Sequence, residues 1–200
     1  MKITQKHLSL GKLARGGEYG KDTAGKTIII NTHKPWEFDK PPVRIIIHWI
    51  GPYPGQAVST PWNWWENGSD GGGVRASAHF IVKDADVIQC LPLNEVGWHA
   101  GDSRNFDSIG IEVIPMNIEG EFSKLSIDTL KLVIQHIRNE IGNNLKLERH
   151  FDGVQEKDCP RFYTPLSDMV TREEQYNHVP MQGQERWEKL KLFLNDWKPE

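Results

Sequence analysis

Strands interleaved with helices predict an α/β or α+β sheet domain. Three observations carry the prediction. Residues 43–50 are a strongly apolar run with isoleucines at 45, 46 and 47; residues 108–114 alternate apolar and polar; and apolar residues recur at helical spacing between 126 and 142. At 200 residues the chain is long enough for one domain with its own core.

Residues 1–40 read as a polar arm with Gly16, Gly17, Gly20, Gly25 and one β-like run at 27–31, ended by Pro41-Pro42. The run 43–50 suits a central strand, because three β-branched residues in succession fit a strand buried on both faces. Residues 51–75 are loop-rich. Within them Thr60-Pro61 offers an N-cap and first helical position for a short turn bearing Trp62, Trp64 and Trp65. Strands at 78–83 and 87–91 are joined by the turn Asp84-Ala85-Asp86. Ile127, Leu130, Ile134, Ile137 and Ile141 mark one face of a helix, capped by Ser126 and stopped by Gly142-Asn143. A strand at 146–150 leads into a polar loop at 151–165. After a linker-like stretch at 171–184, Trp187, Leu190, Phe193, Leu194 and Trp197 mark a helix at 184–197.

Composition excludes several classes. With 38% hydrophobic residues the chain is no disordered segment. Its 24 Lys and Arg against 27 Asp and Glu leave no basic excess for nucleic acid. No apolar run approaches the ~20 residues that span a bilayer, so no membrane insertion is expected. The first ten residues lack the apolar core of a secretory signal. Two cysteines make no disulfide scaffold. Eight tryptophans point to a surface that grips something flat or sugar-like.

A catalytic zinc site takes three protein ligands and leaves a fourth position open. His48 ends the isoleucine strand, His150 ends the strand before the polar loop, and Cys159 follows in Lys157-Asp158-Cys159-Pro160. The bland alternative for each histidine is packing or capping, and for each thiol a small buried side chain; Cys90 fits the latter. Glu112 sits mid-strand among apolar residues. It either faces solvent or is buried for a reason, and beside a metal it could act as general base. Lys157 could stabilise a developing oxyanion; its alternative is a solvated loop lysine.

The ordered segments Ala76 to Val82, Ile88 to Asp102, Ser108 to Glu112, Arg149 to Asp152 and Lys157 to Pro160 together resemble zinc-dependent N-acetylmuramoyl-L-alanine amidases. The fold in question is the type-2 amidase fold shared with peptidoglycan recognition proteins, here most similar to single-domain phage and prophage endolysins. The resemblance covers about residues 43–165 plus a leader at residues 2–5 and 8–17. It implies a central mixed β-sheet flanked by helices, with an arm at 1–40, a catalytic core at 41–165 and an extension at 166–200. It implies Zn²⁺ held by His48, His150 and Cys159, with Glu112 and Lys157 catalytic and a zinc-bound water as nucleophile. Trp49, His79, Trp98 and His99 are expected at the substrate.

Two departures follow from the same comparison. The catalytic tyrosine that one branch of the family has before the His-Phe pair is Ala78 here, which moves the base onto Glu112. The spacing from His150 to Cys159 is a residue long, which makes Asp158 a rival third ligand. The activity implied is cleavage between N-acetylmuramic acid and L-alanine of the stem peptide, by a monomer that reaches the cell wall after release from the cytoplasm. A non-catalytic peptidoglycan-binding module and a stem-peptide endopeptidase are the alternatives.

Overall fold

The structure, a computed structural model, describes residues 2–10, 12–15, 18–21, 23–25, 27–30, 37–51, 53–68, 74–165 and 182–196. Its strands are β1 (Ile3–Gln5), β2 (Glu18–Lys21), β3 (Thr27–Ile30), β4 (Arg44–Trp49), β5 (Phe80–Lys83), β6 (Asp86–Gln89), β7 (Ser108–Val113) and β8 (Lys146–Arg149). Its helices are α1 (Ser59–Asn67), α2 (Lys124–Ile141) and α3 (Gln182–Asn195). Six strands form one mixed sheet in the order β1-β6-β5-β7-β4-β8, and β2 pairs separately with β3. The central mixed sheet flanked by helices is therefore present.

β4 and β7 run parallel, with Ile46 opposite Gly110 and His48 opposite Glu112. Side chains alternate across a strand. Ile45, Ile47, Ile109, Ile111 and Val113 thus share one face, where they pack against α2 and α3 in the larger core. Burying an aliphatic side chain of this size is worth ~1.5–3 kcal/mol, and all five are completely buried. On the opposite face Ile81, Ile88 and Cys90 meet Trp65 of α1 and Leu8 of the leader in a second cluster. Between these apolar layers the middle of that second face presents His48, Gly110 and Glu112.

Several local expectations are corrected. Within the arm expected at 1–40, β1 pairs in parallel with β6 as an edge strand of the main sheet, and Leu8, Leu13 and Ala14 are buried. The Trp-bearing turn is a nine-residue helix with Val58, not Thr60, at the N-cap. Pro61 lies in its first turn, where a missing N–H forfeits no bond. α2 is capped by Ser123, whose Oγ accepts the N–H of Ser126 at 3.0 Å. Ser126 is instead buried in the joint with the β5–β6 turn, its hydroxyl accepting the N–H of Asp84 at 2.7 Å. α3 sits two residues earlier than expected. Asn31, the glycine-rich 69–73, most of the linker-like 171–184 and Trp197 lie outside the described residues. Among the described residues no helix is long and apolar enough to cross a membrane.

Candidate metal centre

Parallel register puts His48 and Glu112 side by side near the C-terminal ends of β4 and β7, the end of a parallel sheet where ligands bind. His150 opens a 3-10 turn directly after β8, the other neighbour of β4. The chain then loops out and returns, and the Phe151 N–H donates to the Cys159 carbonyl at 2.9 Å. That bond delivers the thiol to the two imidazoles. The donor atoms of His48, His150 and Cys159 all lie within 4.8 Å of one another. Cys159 Sγ is 3.6 Å from His48 Nδ1. Bonds of ~2.0–2.3 Å to one ion bridge such gaps.

The electrostatics fit a cation. Burial above all, then His99 and His150, holds the His48 imidazole well below its usual pKa. Burial likewise lowers His150. Both rings are therefore neutral lone-pair donors near pH 7. Burial, then the Glu112 carboxyl, pushes the Cys159 thiol well above its usual value, so a thiolate there needs a cation beside it. Burial raises the Glu112 carboxyl to about 8, and its Oε2 is buried with no hydrogen-bond partner. Two imidazoles, one thiol and an orphaned carboxyl oxygen suit a borderline-soft divalent ion such as zinc, with Glu112 beside it rather than on it.

The other site residues divide. Lys157 is exposed in the loop yet close enough to bias the titration of both His150 and Cys159. Asp158 is otherwise engaged: Arg161 Nε donates to its Oδ2 at 2.6 Å and Thr164 Oγ1 to its Oδ1 at 2.8 Å. A groove of about 610 Å³ adjoins Glu112, lined by Trp49, Trp98 and His99, with Tyr53 and Trp64 on its outer lip. The α1 tryptophans have separate tasks. Trp65 is core, Trp62 is pinned by donating Nε1–H to the Lys6 carbonyl at 2.6 Å, and Trp64 is exposed in the groove.

His79, expected at the substrate, is not among the residues that line the groove. It is completely buried; its Nδ1 accepts the Gly110 N–H at 3.0 Å, and its Nε2 donates to the Glu95 carbonyl at 2.9 Å. Burial lowers its pKa to about 4. Arg149 escaped the sequence reading. It is buried, donates from Nη1 to the Tyr163 carbonyl at 2.6 Å, and pairs with Asp152. Asn105 escaped too, because a buried asparagine in a polar stretch carries no pattern.

Known proteins give a consistent picture. The family model described as N-acetylmuramoyl-L-alanine amidase matches residues 38–162. The N-acetylmuramoyl-L-alanine amidase XlyA of Bacillus subtilis (strain 168) is 40% identical over 90 residues, covering 42% of this chain and 29% of that protein. CwlH of the same organism, bearing the same enzyme name, is 37% identical over 94 residues, covering 42% of this chain and 35% of that protein. The matched region thus spans about a third of these relatives. The solved catalytic domain of XlyA superposes with a TM-score of 0.61 at 23% identity, covering 97% of this chain and 99% of that one. The PlyG catalytic domain gives 0.64 at 17% identity, covering both chains fully. These superpositions establish the fold.

Proposed function

The chain belongs to the N-acetylmuramoyl-L-alanine amidase family, and we propose that it hydrolyses the amide between the lactyl group of N-acetylmuramic acid and L-alanine in peptidoglycan. The observation that carries the reading is the convergence of His48, His150 and Cys159 beside Glu112, whose Oε2 is unpartnered and which lines a groove.

We take the metal to be zinc. When bound, it supplies a nucleophile at neutral pH and polarises the scissile carbonyl. Burial raises the Glu112 carboxyl in the metal-free chain; a cation beside it would favour its ionised form, which can accept a proton and return it to the leaving amine. Lys157 adds positive charge where the oxyanion develops. Trp49 and Trp98 offer aromatic faces to the apolar surface of a sugar or peptide. In this reading residues 41–165 are the catalytic core, the chain works as a monomer, and its target is the cell wall.

Mass spectrometry of purified peptidoglycan digested with the protein, with and without chelator, tests this. Free stem peptides beginning with L-alanine, lost on chelation and restored by zinc, are expected. Glu112→Ala should keep its zinc and lose ~10²–10⁴-fold in turnover, the usual contribution of general acid–base catalysis. Peptides cut elsewhere would replace the amidase with an endopeptidase, and wall binding without product would leave only a binding module.

A further inference from the structure

We propose that His99 and Ala100 form the orienting shell of the metal centre, with His99, which also lines the groove, acting as a positioning residue. The inference rests on the metal-dependent reading above. Each candidate histidine ligand turns one ring nitrogen inward and the other outward. The outward Nε2 of His48 lies 3.0 Å from His99 Nδ1, and the outward Nε2 of His150 donates to the Ala100 carbonyl at 2.8 Å. Two consecutive residues therefore hold the outer edges of both imidazoles. With Nδ1 of His48 facing the thiol, its proton belongs on Nε2 and is donated to His99 Nδ1. His99 then carries its own proton on Nε2, facing Ser108 Oγ at 3.5 Å, while the Ser108 hydroxyl donates onward to the Arg104 carbonyl. Both ring nitrogens of His99 are spent within the protein, and neither is left to meet a substrate.

The surroundings are shaped for this ring. A Cβ on Gly110, in the middle of β7, would come within 2.5 Å of the His99 ring, and one on Gly97 within 3.1 Å. Glycine weakens a strand interior and marks a close approach; here it clears the seat of an imidazole. Asn105 Oδ1 accepts the backbone N–H of both His99, at 3.0 Å, and Ala100, at 2.8 Å. The Trp98 N–H donates to Ser77 Oγ at 3.1 Å, and the Ser77 N–H to the Trp98 carbonyl at 3.1 Å. The segment is pinned on both sides of His99. Partners of this kind fix the tautomer and aim of a metal-binding imidazole, and losing one typically weakens metal binding ~10–100-fold.

The test compares His99→Leu with His99→Asn in the full chain, measuring zinc affinity by competition with a chromophoric chelator and checking the metal-free fold by circular dichroism. Leucine fills the space without an acceptor; asparagine places Oδ1 near the former Nδ1. The leucine variant should bind zinc ~10–100-fold more weakly, and asparagine should recover most of that loss. A leucine variant with wild-type zinc affinity and only a raised KM would overturn the proposal. Imidazole ¹⁵N spectra of the zinc-loaded wild type give a reading that needs no variant. His99 protonated on Nε2 is expected, and protonation on Nδ1 overturns the proposal. A wild type that takes up no zinc sinks the metal-dependent reading itself, whereas intact binding in the leucine variant sinks only the role of His99.

Discussion

His48 and Glu112 stand on adjacent parallel strands, whereas His150, Lys157 and Cys159 stand on a loop that leaves the sheet after β8. The strand half is positioned by backbone register and by apolar layers on either side, so it keeps its geometry without a ligand. The loop half is largely exposed between residues 152 and 157 and re-enters the core only at Phe162 and Tyr163. It is tied by polar bonds that converge on Arg149: Nη1 to the Tyr163 carbonyl at 2.6 Å, Nη2 to Gln184 Oε1 of α3 at 3.0 Å, and an ion pair with Asp152. The Trp187 ring of α3 lies 5.2 Å from the Arg149 guanidinium. One half of the site is thus fixed by the sheet, the other by a buried arginine reaching from the sheet to the C-terminal helix.

The largest expected effect comes from removing a donor on either side. Cys159→Ala and His48→Ala should each lose zinc on dialysis and lose turnover with it, by more than the ~10–100-fold that an outer-shell change costs. Metal analysis against protein concentration reads this directly. Stoichiometric zinc in either variant would strike that residue from the ligand set.

Arg149→Met probes the comparison itself. It leaves the donors in place and unties the loop. The buried Tyr163 carbonyl loses its partner, while the exposed Asp152 carboxylate keeps the Arg149 backbone N–H; an orphaned buried polar group costs ~1–3 kcal/mol. Zinc affinity should fall ~10–100-fold and the thermal midpoint should drop. Arg44 supplies the contrast from the opposite end of β4. It pairs with Asp107 and Glu148 in half-exposed ion pairs, which are worth ~0–1 kcal/mol, so Arg44→Met should leave zinc binding unchanged. Equal zinc affinities in the two variants would mean that the loop does not depend on its arginine.

The same division decides what could be read from the sequence. The isoleucine run and the alternation of 108–114 give two strands, and their period of two fixes which residues share a face with His48 and Glu112. Nothing periodic marks the loop. Cys159 is one candidate thiol in a polar loop until a resemblance spread over several segments singles it out, and Arg149 looks like any strand-end arginine until α3 is folded over it. His79 shows the limit of proximity in sequence: it precedes β5 beside the site, but its ring is spent on Gly110 and Glu95. β1 is three residues long, too short to carry a pattern, and is a strand only because β6 offers it an edge.

The last comparison concerns pH, and Glu112→Gln confines it to the strand half. In metal-free protein, burial depresses the imidazoles of His48, His79 and His150. Below about pH 6.5 the unfolded chain therefore binds protons that the folded one refuses, and stability falls as pH drops. Glu112 acts in the opposite direction. Burial raises it from 4.5 to about 8, so between those values the folded chain keeps a proton that the unfolded chain has released. Stability then falls as pH rises through that window, by at most about 1.4 kcal/mol per pH unit for one proton. Glu112→Gln cannot ionise and removes only this limb. Its stability relative to wild type, from urea unfolding in chelator, should climb between pH 5 and 8 and then level off. Parallel curves would mean that Glu112 is solvated, contrary to its place in the sheet. Saturating zinc should shrink the difference, because a cation beside the carboxylate favours its ionised form and offsets the desolvation that the sheet imposes.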